Sequence, residues 1–465
     1  MSMFNKVTEQ DLAFFENLMP GRVFSGEAIS TDYNHDEMTI YGHYLPEAVI
    51  QALTTEEVSA VLKYCNGHTI AVTPRGAGTG LCGGCVAIHG GVVLSTEKMK
   101  KVIEVDKRNM TATVEPGVLL MEFPKSLEGT GLFYPPDPGE KTATMGGNAM
   151  TNAGGMRAVR YGVTRDYVLV MEVVLADASV IELGGKNVKT SSGYSLIDLM
   201  VGSEGTLGFL TKLTVKLIPE PKVNLSLLIP FDDLDACIGA VPAVLGCGCE
   251  PTAVEFMERE VIACAETHLG KQFPDTGADA YLLVRLDDAS VEALKPAMDT
   301  LTGLALSIGA KDVLLADTDE RKESIWNARG AFLEAIKGST PVMDECDVVV
   351  PRDMIPNFVR KSRKIGKNTG VRICCFGHAG DGNLHIYACK DEMDGARWET
   401  AVTQVMDKLY QAAREMGGEV SGEHGIGHAK KAFLAESMGK TQITLMRGIK
   451  AAFDPKGILN PGKVV

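Results

Sequence analysis

His378 and His385 stand seven positions apart in the run CCFGHAGDGNLH, and Glu423 and His424 are neighbours in the later run VSGEHGIGHAKK. Two imidazoles and a carboxylate form a ligand set suited to a divalent metal such as zinc, manganese or ferrous iron. A lone histidine is usually structural. Two that flank a glycine turn, with a glutamate in a glycine-bounded segment, favour a metal site, so His378, His385 and Glu423 are the expected ligands. On an extended backbone adjacent side chains point to opposite sides. His424 is therefore expected to miss the ion and to serve in proton transfer. His428, four residues on, reads as a helix-surface or supporting residue. Asp381 and Asn383 are placed to orient the histidines or to touch a substrate.

These residues need elements to hold them. Residues 371–376 read as a strand, 379–383 as a tight turn and 384–388 as the returning strand, so a hairpin would bring both histidines to one place. Residues 324–336 read as a helix whose stripe of Ile325, Phe332 and Ile336 also contains Arg329. An arginine on an apolar stripe needs an anionic partner or a route to solvent. A structural ion pair or a snorkelling chain meets that need as well as a ligand does. Strands at 225–229 and 281–286 and helices at 234–245, 291–308 and 320–336 suit two β-α-β units around an antiparallel sheet. Nearer the N-terminus, helices are expected at 8–18 and 56–65, the latter with Val58, Val61 and Leu62 on one face, and a short buried strand at 69–73. Pro219 and Pro221 mark a boundary. The expected organisation is 1–220, 221–420 and a C-terminal segment, 421–465.

Three glycine-rich stretches precede that boundary. The first, PRGAGTGLCGG, contains GxGxxG at Gly78, Gly80 and Gly83. A dinucleotide fold needs such a turn to open a helix. Here the continuation VAIHGGVVL is β-rich and broken by Gly90 and Gly91, so that fold is rejected. The closely spaced backbone N–H groups can still form a nest for a pyrophosphate. The second stretch is PPDPG followed by TATMGGN and TNAGG, and the third is GSEGTLG. Small and hydroxyl residues let a flat ring and its phosphate tail lie against the backbone. One such stretch would read as ordinary turns; three together favour a cofactor surface.

A chain of 465 residues has room for two or three domains. Its net charge of −14, without a dense Lys/Arg run, argues against a nucleic-acid surface. No secretory signal is expected in the first forty residues, and apolar runs such as 167–175 are too short and interrupted for a membrane span. Eleven cysteines, an odd number, fit reduced thiols in a cytoplasmic protein. Cys82 and Cys85 form a CxxC with no second CxxC, so no iron–sulfur cluster is expected within the chain.

PRGAGTGLCGG, YPPDPGEKTATMGGNAMTNAGG, VGSEGTLG and the terminal ILNPGK together resemble the FAD-binding domain of the vanillyl-alcohol-oxidase (PCMH) type. GHAGDGNLH with GEHGIGHAKK resembles the branch that contains the glycolate oxidase catalytic subunit, D-lactate dehydrogenase and D-2-hydroxyglutarate dehydrogenase. The resemblance runs from about Pro46 to the C-terminus; the conjunction is specific, though its pieces are not. It implies an α+β fold: a PCMH-type FAD-binding domain with an α+β substrate (cap) domain built on an antiparallel sheet. It implies that Arg75, Gly76, Ala77, Gly78, Thr79 and Gly80 lie at the FAD pyrophosphate. Pro136, Asp137, Gly146, Gly147, Asn148, Thr151 and Gly154 would line the flavin, Glu204, Gly205 and Gly208 would continue that wall, and Asn460 would approach the ring. Some relatives attach FAD through a histidine in the first loop. None lies there, so the FAD is expected to be non-covalent.

The same resemblance implies that Arg329 holds a substrate C1 carboxylate, a task that suits a bidentate guanidinium, and that His424 is the base. The hydroxyl and lysine contacts that some relatives add do not map cleanly, and one falls on Leu333. Where some place an asparagine two residues after the second metal histidine, this chain has Tyr387. A small monocarboxylate is therefore favoured over a dicarboxylate. The implied reaction is oxidation of a D-2-hydroxy acid, D-lactate before glycolate or D-2-hydroxyglutarate, with electrons leaving to an electron-transferring flavoprotein or an iron–sulfur subunit. A metal-dependent hydrolase would leave the glycine stretches unexplained, and a non-catalytic flavin carrier would leave His424 and Arg329 unexplained.

Overall fold

The computed structural model describes residues 3–465. The chain divides into two compact units: 1–153 with 163–220 and 423–465, and 154–162 with 221–422.

The first unit contains two sheets. A four-stranded sheet runs in the order Val23–Ser25, Ala48–Gln51, Val92–Ser95, Val72–Arg75, and its last three strands are parallel. A five-stranded antiparallel sheet runs in the order Val102–Asp106, Thr111–Val114, Phe209–Lys216, Val168–Val174, Val180–Gly184. The helix Thr55–His68 starts where the Thr54 side chain accepts from the Glu57 N–H, with Glu56 and Glu57 complementing its N-terminal dipole. It buries Val58, Val61, Leu62 and Cys65 in a core shared with Ile50, Val72, Val92 and Leu94. The helix expected at 8–18 is Glu9–Leu18, capped by Thr8. The strand expected at 69–73 begins later, at Val72, because Thr69 caps the preceding helix in the left-handed region at φ 53°. No helix follows the first glycine loop. Of the β-rich continuation only Val92–Ser95 is a strand.

The second unit is built on a seven-stranded antiparallel sheet. Its order is Leu314–Ala316, Val223–Phe231, Ala280–Asp288, Ala253–Glu258, Arg372–His378, Asn383–Cys389, Met343–Val349. Two of the expected helices are each broken in two. The first divides into Leu234–Gly239 and Val241–Gly246, where Pro242 supplies no N–H to the ladder. The second divides into Asp319–Gly330 and Phe332–Ser339, with the break at Ala331. Ile325, Arg329, Phe332 and Ile336 are nevertheless all buried. The Trp326 indole N–H donates to Ser226 Oγ at 2.9 Å and pins the first of these helices to the sheet.

Candidate active site

In the second unit the expected hairpin exists. Arg372–His378 pairs with Asn383–Cys389 so that Phe376 faces His385 and His378 faces Asn383. The turn between them holds Gly382 at φ +92°, where a Cβ would lie 2.2 Å from the Val350 carbonyl oxygen, so only glycine fits. The two imidazole centroids are 5.3 Å apart. Alternation along the strands, with the registers to the neighbours, gathers Glu255, Phe376, His378, His385, Tyr387, Asp347 and Glu345 on one face of the sheet. The opposite face takes Phe256, Cys375, Leu384, Ile386, Cys346 and Val348, all buried.

His378 Nδ1 lies 2.8 Å from Glu255 Oε1, and that contact fixes the orientation of the ring. Glu255 is 0% exposed. It also accepts from Arg329, whose Nε and Nη2 approach Oε2 at 2.8 and 2.6 Å. Burial pushes the Glu255 carboxyl up, but His378 and Arg329 together outweigh it and leave it below its ordinary range. The Arg329 guanidinium also sits 4.6 Å from the Phe376 ring centroid. The ion pair that the sequence left open for Arg329 is thus present, with Glu255 as its anion. A guanidinium has five N–H donors, so one edge on Glu255 does not use it up.

His385 Nδ1 stands 3.6 Å from Glu345 Oε1 and 3.8 Å from Asp347 Oδ1. The Tyr387 hydroxyl donates to Glu345 at 2.6 Å. Burial first, and Glu345 second, push that phenol well above its ordinary value, so it remains a donor. Asp347 accepts from Asn383 Nδ2 at 2.7 Å, from Ser421 Oγ at 2.8 Å and from Gly422 N at 3.1 Å. Asn383 therefore braces Asp347, while Asp381 accepts from the Asn383 N–H and closes the turn. Sequence reasoning did not identify Glu255, Glu345 or Asp347. Their signal was acids inside otherwise apolar strands: Glu255 in AVEFME, and Glu345 and Asp347 at alternate positions in MDECDVVV.

The backbone bends through 422–424 instead of running extended, and in the first unit His424 Nε2 lies 3.7 Å from Glu423 Oε1. The expectation that these two side chains point apart fails for that reason. The segment is held by Glu204, whose carboxylate accepts from Ile426 N at 2.7 Å and Gly427 N at 2.8 Å. Burial raises the Glu204 carboxyl, and these N–H groups oppose the rise. Glu204, expected as part of a flavin wall, thus braces the backbone after His424. His428 lies in a turn, not on a helix, edge-on to the Tyr44 ring at 5.8 Å, with Nε2 buried and without a partner. Burial pushes its pKa down to about 4.

The expected FAD residues divide into groups. The Arg75 guanidinium is turned to the carbonyl oxygens of His35 and Asp32, at 2.9 and 2.6 Å, so it ties the loop to the N-terminal segment. Gly78 is at φ +82°, where a Cβ would meet that guanidinium at 2.1 Å. Ala77 and Gly80 are exposed, with Thr79 half-buried between them and Gly76 against Thr144. Pro136 is buried, and Asp137 pairs with Lys141. A Cβ at Gly146 would meet Pro116 at 2.5 Å, at Gly205 Pro74 at 2.7 Å, and at Gly208 Val173 at 2.4 Å. These three glycines serve packing within the protein. At Gly147 a Cβ would meet only Thr144 Oγ1, at 3.0 Å. The Thr151 hydroxyl is bonded back to the Gly147 carbonyl, and Gly154 falls in the second unit. Asn460, at φ +40°, donates to Gly84 O at 2.8 Å and Glu204 O at 2.6 Å. Asn460 Oδ1 and Asn148 Nδ2 are buried without partners. An acceptor and a donor left unsatisfied in this way are atoms that a bound flavin would complete, so the residues fit FAD.

Residues 220–464 match the family described as FAD linked oxidases, C-terminal domain, and residues 46–184 match the FAD binding domain family. The chain is 50% identical to a D-lactate dehydrogenase of Anaerostipes hadrus over 99% of its own length and 98% of that relative. It is 39% identical to glycolate oxidase subunit GlcD of Bacillus subtilis over 93% of its length and 91% of that protein. A solved p-cresol methylhydroxylase with substrate bound has the same fold, with a TM-score of 0.83 at 19% identity, covering 98% of this chain and 97% of that one. That likeness bears out the expected vanillyl-alcohol-oxidase type of α+β fold. The chain belongs to the FAD-linked oxidases and is an FAD-binding oxidoreductase.

Proposed function

We propose that the chain oxidises a D-2-hydroxy acid, D-lactate in the first place, to the 2-oxo acid and passes the electrons to a protein acceptor, an electron-transferring flavoprotein or an iron–sulfur subunit. The observation that carries this reading is Glu255. One fully buried carboxylate holds both the Arg329 guanidinium and the His378 imidazole on the same sheet face. The names of the relatives from Anaerostipes hadrus and Bacillus subtilis support a hydroxy acid as substrate. Arg329 takes the C1 carboxylate on the N–H groups that Glu255 does not occupy. His378, His385 and Glu423 are the residues for a divalent metal, and His424 accepts the hydroxyl proton as general base. Bound FAD would supply the hydride acceptor, and the cation would supply the positive charge that lowers the hydroxyl pKa. Among the described residues no helix is long and apolar enough to cross a membrane.

The test is anaerobic flavin reduction. D-lactate is expected to bleach the flavin of the purified holoenzyme, and L-lactate is not. Exhaustive chelation and His424→Ala should each slow that bleaching by about 100-fold or more. Bleaching by D-lactate that survives chelation would remove the metal from the reading. A flavin indifferent to every 2-hydroxy acid would remove the reading itself.

A further inference from the structure

The chain has a net charge of −14, yet one helix of the second unit, Ile355–Thr369, contains no acidic residue. It reads IPNFVRKSRKIGKNT and carries Arg360, Lys361, Arg363, Lys364 and Lys367, all exposed, so the expectation of no dense basic run fails at this helix. Three of the five have a structural task. Arg360 pairs with Asp235 at 2.9 Å and Arg363 with Glu258 at 3.2 Å. Lys367, in the last turn, complements the helix dipole. Lys361 and Lys364 are in no ion pair among the described residues. Like charges three and four positions apart, Lys361 with Lys364 and Arg360 with Lys364, destabilise a helix. Packing gives no reason for them, since the side of the helix that faces inward is the apolar one, with Phe358, Val359 and Ile365.

The two lysines stand over a groove between this helix and Gly395–Glu415, which packs beside it. One rim is Lys361, Lys364 and Asn368, and the facing rim is Lys408, Gln411 and Glu415. Both sets are spaced i, i+3, i+7, so each lines one side of its helix. Ile365 and Ala412 form the floor. Lys408 is exposed and, like the two lysines opposite, is in no ion pair among the described residues. Glu415 is occupied in accepting from the Gln411 amide at 2.8 Å. We propose that this groove is a docking surface for a protein partner that lays an acidic segment along it. Charge complementarity carries the proposal: three ammonium groups converge on one groove of a chain that is otherwise strongly acidic. The side-chain amide of Asn368 suits the peptide groups of such a segment, and the apolar floor suits its carbon skeleton. A nucleic acid would run on past three lysines onto Glu415 and an acidic surface. A bilayer is flat and would not enter a groove between two helices. The inference does not depend on which substrate is oxidised.

The probe is a fluorescein-labelled glutamate-rich peptide, titrated with the holoenzyme and read by fluorescence polarisation, with the same peptide carrying glutamine for glutamate as the uncharged control. Wild type should bind the acidic peptide about tenfold or more tightly than the control. The groove variant, Lys361→Ala with Lys364→Ala and Lys408→Ala, should lose that preference. Removal of the same charge in the first unit, at the exposed Lys98, Lys100 and Lys101, should change the Kd by less than about twofold. Raising salt from about 50 to 200 mM should weaken wild-type binding and leave the groove variant nearly unmoved. The groove variant should unfold at no lower temperature than wild type and keep its rate of flavin reduction, because it relieves a repulsion within the helix. Lys408→Ala alone, on the neighbouring helix, should weaken binding about threefold and decides the matter if the triple variant does not fold. Absence of a preference for the acidic peptide, or equal losses in the groove variant and the Lys98, Lys100 and Lys101 variant, overturns the proposal. Tighter binding to a DNA duplex or to phosphatidylglycerol vesicles, abolished by the groove variant, also overturns it and gives the groove to nucleic acid or lipid instead.

Discussion

Both units bury carboxylates beside their candidate site residues, but the carboxylates hold different things. In the first unit Glu204 accepts from two backbone N–H groups, at Ile426 and Gly427, and so shapes the loop that follows His424. In the second, Glu255 accepts from side chains, Arg329 and His378, and Glu345 accepts from Tyr387. The first unit works largely with backbone: positive-φ glycines, close approaches, and carbonyls and N–H groups bound by single side chains. The second works with side chains projected from a rigid antiparallel sheet, each oriented by a neighbour. A backbone-built surface suits a large flat cofactor that must lie close. A side-chain-built surface suits a small ligand that must be held at two or three points.

Removal of each acid tests that contrast. Glu255→Ala is expected to have the largest effect, about 3–5 kcal/mol of stability in denaturant unfolding, because it leaves a buried guanidinium without its anion and His378 without its orienting group. The second unit should melt first, and bound metal should fall with it. Glu255→Gln should retain part of the geometry and lose less. Glu204→Ala removes two charge-assisted hydrogen bonds to backbone and should cost about 2–3 kcal/mol. Its particular mark would be faster amide exchange at Ile426 and Gly427 with little change in the sheet of the second unit. If Glu204→Ala instead costs more than Glu255→Ala, the division into backbone-built and side-chain-built regions is wrong.

The same contrast explains what could be read from sequence. The hairpin was legible because its signals are local: apolar runs either side of a glycine turn, with a histidine at each flank. The glycine stretches were legible as a class for the same reason. The acids that organise these residues were not, since Glu255 bonds His378 across 123 positions and Glu204 bonds Ile426 across 222. The pattern showed only buried-strand acids without saying what they faced. The glycine turn likewise gave no hint that the Arg75 side chain folds back onto Asp32 and His35. The bend at 422–424 likewise defeated an argument that assumed an extended backbone for Glu423 and His424.

His428 adds a smaller, pH-dependent test in the first unit. Its folded pKa, about 4, lies below the ordinary histidine value because of burial and then Lys463. The unfolded chain therefore binds the proton first as pH falls, so stability is lost between about pH 6.5 and pH 4 and recovered above it. Asp36, raised by burial to about 6, runs the other way over part of that window. The difference between wild type and His428→Leu in unfolding midpoints at pH 7 and pH 5 isolates the imidazole: the variant should lose less on acidification. An equal loss in both would show that His428 stays neutral at no cost.

The smallest structural change gives the sharpest separation of a packing glycine from a ligand glycine. Gly146 and Gly147 are neighbours in the helix Met145–Thr151. A Cβ at Gly146 would strike Pro116, including its backbone oxygen at 2.8 Å, so Gly146→Ala must move main chain and should destabilise the apoprotein by about 1–3 kcal/mol. A Cβ at Gly147 would meet only the Thr144 hydroxyl at 3.0 Å, and Gly147 has an ordinary helical backbone. Gly147→Ala should leave apoprotein stability within about 1 kcal/mol, with a tendency to stabilise, since alanine favours a helix over glycine. If the helix surface is bare there so that a flavin can lie against it, the same substitution should weaken FAD binding by about tenfold or more. Fluorescence titration of the apoprotein with FAD, set beside its denaturation curve, reads both quantities. A Gly147→Ala variant that binds FAD as tightly as wild type would make Gly147 one more packing glycine, and would move the flavin-facing surface towards Asn148 and Asn460, whose unsatisfied polar atoms then carry that assignment alone.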